Sequence, residues 1–357
     1  MGRIKSLDGI RAISILMVLF GHASATMPKV QYTEYFFPFI FNANLGVKIF
    51  FVISGYLITK LLIVEREKTG RIDIKDFYLR RIFRIFPVFY LYILVILFLK
   101  FTFFPDIFTD YGIFLAAAFY CWNYKHLMFN GPPQDNGYWY FGHLWSLSME
   151  EQFYLAWPLM FVKINRDKLL KVVLALVILM PLVRIATYFL MPDSRGQLGM
   201  MLHTGGDTIL FGCLGALIEK NERIKAILFK YLNKTALVAV VAILVFVVSP
   251  ILNMKFKGSY QMVLGESFNA ICITFLLFWC IYIPSKVANF LNYKFIAQIG
   301  ILSYSLYIWQ QLILTTNTNL WINKFPQNLG VVFVIALVSY YMIEKPILKL
   351  KKRLKKV

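Results

Sequence analysis

Apolar residues gather along this chain in long uninterrupted blocks, without the alternation of strands or the one-sided stripes of soluble helices. Eleven blocks stand out, at 10–27, 46–64, 85–104, 111–122, 144–162, 169–190, 205–219, 235–252, 263–283, 298–317 and 329–346. A helix needs about 20 such residues to cross a hydrocarbon core of roughly 30 Å, and most of the blocks approach that length. The block at 111–122 is too short to cross unaided. The pattern predicts an all-α integral membrane protein. Its expected form is a bundle of about ten transmembrane helices with a re-entrant or half-buried segment near 105–143.

Parity and charge fix the expected topology. If 111–122 does not cross, the connections 1–9, 65–84, 163–171, 220–234, 284–296 and 346–357 share one side and carry 26 Lys and Arg. The connections 28–45, 105–143, 191–204, 253–262 and 318–328 share the other and carry 6. Lysine and arginine stay on the cytoplasmic side of short loops. Ten spans with both termini cytoplasmic, in the inner (cytoplasmic) membrane, therefore follow. A full crossing at 111–122 would reverse every later loop.

Composition supports the class. The chain is 59% hydrophobic with 34 Phe and 21 Tyr, and only 16% of its 357 residues are charged, where a soluble domain carries about 25%. The net charge of +20 does not point to nucleic acid, because the basic residues sit in short loops and not on a folded basic face. The first block lacks a small-x-small site followed by a polar mature domain, so it is expected to stay in the membrane. The expected organisation is a single transmembrane domain over 1–350 with a basic cytoplasmic tail over 351–357. Cys121, Cys213, Cys272 and Cys280 lack metal-type or redox spacing and read as buried inert thiols. No metal site is expected.

The candidate chemistry lies in the polar residues that interrupt the blocks. Ionisable groups at membrane depth are expensive and by default mark function. Arg11 and His22 are eleven positions apart, which returns to within about 20° of one helix face after a rise of roughly 16 Å. Asp8 lies one turn before Arg11 and is placed to pair with it. The bland readings are a snorkelling anchor for Arg11 and a helix–helix hydrogen bond for His22. His143, Ser146, Glu150 and Tyr154 follow the i, i+3, i+7, i+11 pattern of one helix stripe. Glu151 points about 100° away and reads equally as an interface residue. Arg80, Arg81 and Arg84 precede Phe86-Pro87 at the mouth of the third block. Two guanidinium forks at i, i+4 suit phosphate, and any juxtamembrane basic cluster also suits anionic lipid headgroups. Ser54, Arg184, Asp207, Glu266 and Glu344 are further polar groups in apolar surroundings. Gly55, Gly206, Gly212 and Gly215 suit close helix packing.

Leu7-Asp8-Gly9-Ile10-Arg11-Ala12 with His22, then Gly46-Val47-Lys48-Ile49-Phe50-Phe51-Val52-Ile53-Ser54-Gly55-Tyr56-Leu57, resemble the opening of the acyltransferase-3 family. The run Tyr78-Leu79-Arg80-Arg81-Ile82-Phe83-Arg84-Ile85-Phe86-Pro87, the block from His143 to Tyr154 and Glu344-Lys345-Pro346 resemble its later motifs. The resemblance implies a membrane O-acetyltransferase that takes an acyl group, usually acetyl, from cytoplasmic acyl-CoA. It implies delivery to a hydroxyl of a surface glycan such as lipopolysaccharide or capsule. Acetyl-CoA is then a donor substrate, and no permanently bound cofactor is expected. By this resemblance His22 is catalytic, Arg11 supports it, and Arg80, Arg81 and Arg84 handle the CoA phosphates.

Two positions depart from the pattern. Many members have His after the Tyr-x-Trp of a late span, where this chain has Tyr307-Ile308-Trp309-Gln310. Many have Thr-Arg-x-Asp where it reads Thr204-Gly205-Gly206-Asp207. Neither is carried over as a charged site residue, and the esterase-like domain that some members append is not expected.

The residues themselves fit this chemistry. His22 suits a general base on an acceptor hydroxyl, with Glu150 orienting it or balancing the imidazolium. Trp145, Ser146 or a backbone donor suits the thioester oxyanion. The rival reading is a transporter or flippase of a lipid-linked sugar or proton-coupled solute that uses His22 and Glu150 as a relay. The arginine cluster and the lack of inverted repeats count against it.

The topology has a direct test. With the native thiols removed, cysteines at Asn130 and Lys168 should label oppositely in intact cells. An impermeant reagent reaches the first and misses the second. Labelling of Asn130 only after permeabilisation would contradict ten spans.

Overall fold

A computed structural model describes residues 4–29, 36–129 and 135–354 of the chain; Asn130 lies outside them. The described residues are helical throughout, with no strand. Helices of eight residues or more are α1 (Lys5–Ala23), α2 (Ala43–Thr69), α3 (Ile74–Thr102), α4 (Tyr111–Ala118), α5 (Leu144–Lys163) and α6 (Arg166–Leu190). They continue with α7 (Asp207–Ile218), α8 (Glu222–Leu232), α9 (Thr235–Lys255), α10 (Gln261–Tyr282), α11 (Lys294–Ile313) and α12 (Gln327–Leu350). Each long apolar block has become a helix. A chain in hydrocarbon must satisfy its backbone internally, and helices do this within one segment.

Seven of the described helices, α1, α2, α3, α6, α9, α10 and α12, have the length and composition to cross a membrane. The remaining three expected spans, α5, α7 and α11, are shorter or richer in polar residues. The count of ten is therefore approximate. Helix α4 has 8 residues, about 12 Å of rise, and does not cross by itself, as its length predicted. The basic end is helical up to Leu354.

Prolines inside the helices are accommodated by the backbone. Wide turns at Leu244–Val248 and Tyr340–Glu344 come just before Pro250 and Pro346. A π-turn absorbs the hydrogen bond that a proline removes. Helix starts carry the expected caps, with Asp73 accepting from the Asp76 amide at 2.8 Å and Asn165 from Lys168 at 3.0 Å.

The chain divides into two compact units. The first comprises Met1–Ser14, Asn44–Ile72 and Met149–Gly300, and the second Ile15–Ala43, Asp73–Ser148 and Ile301–Val357. In the first, α2 and α7 cross at glycines: a Cβ on Gly55 would lie 1.9 Å from the Ile209 carbonyl oxygen, and one on Gly212 2.1 Å from that of Val52. These glycines have the close-packing role that the sequence suggested. Cys213, Cys272 and Cys280 are buried in this unit. Cys121, in the second, is only half-buried, contrary to the expectation for all four.

In the second unit the connection between α3 and α5 is tied by Asp135. Its Oδ2 accepts the amides of Thr109 and Asp110, both at 2.7 Å, and its Oδ1 accepts Gly137 at 2.6 Å. Burial pushes the carboxyl up, but these bonds and the Thr109 hydroxyl reverse it and hold it below the usual carboxylate range. Nearby, Lys125 Nζ lies 3.9 Å from the Tyr138 ring centroid and 4.7 Å from that of Trp122. Burial pulls its ammonium down to about 8, with Asp110 opposing.

A carboxyl whose folded value is depressed adds stability above its unfolded value of about 3.9, and this is lost as pH falls through the lower folded value. Melting in detergent between pH 7 and 3 should show that loss in the wild type, and Asp135→Asn should flatten it. An identical acid dependence in the variant would show that Asp135 does not tie the connection.

Candidate functional site

The candidate residues divide between the two units. Asp8, Arg11, Ser54, Glu150 and Glu151 belong to the first; His22, Arg80, Arg81, Arg84, His143, Trp145 and Ser146 belong to the second. Helix α1 is unbroken from Lys5 to Ala23, so Arg11 and His22 keep their eleven-position separation along one helix.

The second unit assembles a histidine pair. His22, near the end of α1, is half-buried, and its Nδ1 lies 3.0 Å from Gln310 Oε1 on α11. The Trp139 ring meets it edge-on at 6.0 Å, and the Trp139 indole N–H donates to the Gln311 carbonyl at 2.9 Å. His143 is fully buried. Its backbone N–H donates to Gln311 Oε1 at 2.9 Å, its Nδ1 lies 2.6 Å from the same oxygen, and its Nε2 lies 3.1 Å from the Ile308 carbonyl. Tyr307 Oη donates to the His143 carbonyl at 2.7 Å and lies 2.6 Å from Ser146 Oγ. Tyr92 packs edge-on against the His143 ring and donates its hydroxyl to the Tyr140 carbonyl at 2.6 Å. Adjacent glutamines on one helix thus hold two imidazoles.

The helical stripe that placed His143 on α5 needs correction. His143 lies in the turn ahead of Leu144, held by α11 and not by helix geometry. The stripe proper begins at Ser146. Trp145 is half-buried.

At the other end of α3, Arg80 pairs with Asp76 one turn earlier, and Arg80 and Arg81 both lie about 6 Å from the Phe77 ring centroid, at 6.0 and 5.9 Å. Arg84 is exposed and is the charged neighbour of Glu344, which accepts Ser305 Oγ at 3.1 Å. The forks of Arg80 and Arg84 therefore do not project as the bare pair that the i, i+4 spacing suggested. One side of the cluster is already charge-matched.

In the first unit Arg11 Nη1 lies 3.9 Å from Asp8 Oδ1, the one-turn pairing expected from the sequence. Ser54 Oγ is hydrogen-bonded to the Tyr154 hydroxyl, and Glu150 and Glu151 are both half-buried on α5.

Sequence reading missed the deepest ion pairs of this unit as pairs. Arg184 Nη2 meets Asp207 Oδ2 at 2.6 Å with both side chains fully buried, and Arg184 Nε donates to the Thr204 carbonyl at 2.5 Å. Ser267 donates to the same carboxylate oxygen at 2.5 Å, and Lys48 pairs with Glu266 at 2.9 Å. Lys60 meets Glu219 at 2.8 Å, with Tyr56 donating to that carboxylate at 2.9 Å. Charges this deep persist only when paired and hydrogen-bonded. Asp207, set aside because Gly205 stands where Arg is common, does face a guanidinium, supplied by Arg184 from α6. Opposite charges inside the apolar blocks, Lys48, Lys60 and Arg184 against Asp207, Glu219 and Glu266, were the available signal.

Comparison with known proteins agrees with the fold. A family model described as an acyltransferase domain matches residues 4–344, and the chain belongs to this acyltransferase-3 family of multi-pass membrane proteins. It is 30% identical, over 97% of its length, to the peptidoglycan O-acetyltransferase OatA of Listeria monocytogenes. It is 29% identical over 97% of its length to the O-acetyltransferase OatA of Staphylococcus aureus strain NCTC 8325, and 28% identical over 96% to the putative peptidoglycan O-acetyltransferase YrhL of Bacillus subtilis. The match covers 56%, 57% and 55% of those proteins, so the chain spans little more than half the length of these relatives. No solved structure matches it significantly.

The two histidines should respond differently to deletion. His143→Ala empties a fully buried site packed against Tyr92 and Tyr307, at about 2–5 kcal/mol for a large-to-small change in a core. His22→Ala removes one hydrogen bond at a half-buried position. Melting in detergent should show His143→Ala clearly destabilised and His22→Ala close to wild type. Equal losses would contradict this division of roles.

Proposed function

We propose that the chain is the membrane component of an O-acetyltransferase that moves an acyl group, most simply acetyl, from acyl-CoA to a hydroxyl of a surface glycan. The activity for which its relatives are named points to peptidoglycan as the glycan class. The observation that carries the reading is His22, a half-buried imidazole on a membrane helix held through Nδ1 alone. Among the described residues its Nε2 meets no protein partner, the arrangement a general base needs.

In this reading the donor enters from the cytoplasmic side, where Arg80, Arg81 and Arg84 meet the nucleotide phosphates by charge-assisted hydrogen bonds. The acyl-pantetheine arm then runs along the Arg11–His22 face, a rise of roughly 16 Å. The acceptor hydroxyl gives its proton to His22 Nε2 as its oxygen attacks the acyl carbonyl carbon. The carbon–sulfur bond breaks, and the proton passes to the departing sulfur. Glu150 is the carboxylate assigned to balance the transient imidazolium. Trp145 or a backbone N–H is the donor assigned to the carbonyl oxygen, Ser146 supports the site through Tyr307, and Arg11, with Asp8, supports the helix face. The loop charges support a cytoplasmic position for both termini.

Mass analysis of surface glycans from cells carrying wild type, His22→Ala or no copy of the gene tests this. O-acetylation should be lost in the last two, since a general base contributes ~10²–10⁴-fold. Arg80→Ala and Arg84→Ala should raise KM for acyl-CoA about tenfold or more, from charged hydrogen bonds of ~1.5–3 kcal/mol, and leave acceptor KM unchanged. Acetylated glycan from His22→Ala at wild-type level would end the reading.

A further inference from the structure

Gln310 is fully buried on α11 and makes a single hydrogen bond, between Oε1 and His22 Nδ1 at 3.0 Å. Its Nε2 is buried with no hydrogen-bond partner among the described residues. A buried donor left unsatisfied costs about 1–3 kcal/mol, and native structures rarely carry one without a reason. Turning the amide over would not help. It would leave the oxygen unpartnered in place of the nitrogen. Either way, half of this amide awaits an atom that the chain does not supply.

The two faces of the amide dictate opposite states of His22. With the oxygen toward Nδ1, the ring must carry its proton there, and Nε2 keeps its lone pair. With the nitrogen toward Nδ1, the proton moves to Nε2, and the ring loses its power as a base at that atom. The hydrogen bond at one ring nitrogen therefore sets what the other can do. The neighbouring glutamine shows which face this helix presents. Gln311 Oε1 is fixed by the backbone N–H of His143 at 2.9 Å, so its oxygen faces the His143 ring. Nε2 of Gln310 shares one carbon with the oxygen that touches His22. An acceptor that satisfies it must lie beside the imidazole, where a reacting group would sit.

Resting on the assignment of His22 as general base, we propose that Gln310 serves the transfer through both ends of its amide. Oε1 fixes the Nδ1–H form of His22, and Nε2–H donates to the carbonyl oxygen of the acyl group. As the glycan oxygen bonds to the carbonyl carbon, its proton goes to His22 Nε2. The C=O electron pair moves onto the oxygen held by Gln310. Collapse of that oxyanion breaks the carbon–sulfur bond, and the imidazolium proton leaves with the thiol. The unpartnered donor is thus occupied when substrate is bound, and it is strongest when charge develops.

Two substitutions of similar size separate the two ends. Gln310→Glu keeps an acceptor for Nδ1 and removes the donor. Gln310→Met removes both. Among the described residues, His143 is a titratable group that interacts with His22, and it keeps Gln311 in each variant. In membranes supplied with acyl-CoA and a glycan acceptor, Gln310→Glu should lose about 10²–10³-fold in kcat, the cost of one oxyanion donor. The acid limb of its pH–rate profile should move to higher pH by about one to three units, because a carboxylate beside the ring favours the imidazolium. Gln310→Met should lose more kcat, with no such displacement of the limb. KM for acyl-CoA should change little in either, and melting in detergent establishes that both fold.

Wild-type kcat and pH profile in folded Gln310→Glu and Gln310→Met, with His22→Ala inactive, would overturn the Gln310 assignment alone. A kcat loss of equal size in both variants with no movement of the acid limb would also overturn it, since packing alone produces that. Activity in His22→Ala would remove the base on which the assignment rests and overturn both.

Discussion

Hydrocarbon offers no hydrogen-bond partner, so a polar side chain on a spanning helix must find one on a neighbouring element. That constraint organises this protein. In the first unit it produces Arg184 against Asp207, Lys48 against Glu266 and Lys60 against Glu219. In the second it produces Gln310 against His22 and Gln311 against His143. In the first set each charge meets an opposite one, and the Asp207 and Glu219 carboxylates also accept hydroxyl hydrogen bonds. Removal of one member would strand a buried charge at a cost of about 3–5 kcal/mol. The second set is neutral and asymmetric. His143 is fully buried with a protein oxygen beside each ring nitrogen, only one of which its single N–H can reach, and His22 meets one.

That asymmetry separates scaffold from site. A ring enclosed by protein at both nitrogens offers neither to a substrate, whereas a ring held at one is oriented and leaves the other open. Tyr307, Ser146 and Tyr92 reinforce His143 and its carbonyl, so that part of the unit is a rigid wall. His22 lies against α11, with Trp139 at its edge. In the proposed role of base, His22 has its geometry fixed before substrate arrives, by a neutral amide in place of a buried carboxylate.

Much of this was legible in the sequence because the membrane simplifies the code. Block lengths predicted the helices, and the 8 residues of α4 fell short as its 12-residue block indicated. Asp8 with Arg11 was readable because both lie on one helix. The partners of His22 and His143 were not, since they come from α11, nearly three hundred and about one hundred and seventy positions away. Periodicity carries no information about which helices become neighbours. The resemblance singled out Gln310 as a departure from a common histidine, and the structure puts that residue on His22. The same holds at Asp207. Its local motif lacks arginine, and Arg184 reaches it from another helix. At Arg80 the i, i+4 spacing to Arg84 suggested a bare pair, and the structure adds Asp76 one turn earlier.

The central claim is that an acyl group supplied on one side of the membrane reaches a glycan hydroxyl on the other through the His22 site. Proteoliposomes of the purified chain, sorted by orientation, test it most directly. Acyl-CoA labelled in the acyl group is sealed against the face carrying Arg80, Arg81 and Arg84, and a glycan acceptor is added to the opposite face. The account predicts label on the acceptor only in this arrangement and only with wild-type His22. Label that appears when donor and acceptor share one face, or equally in both orientations, would contradict it.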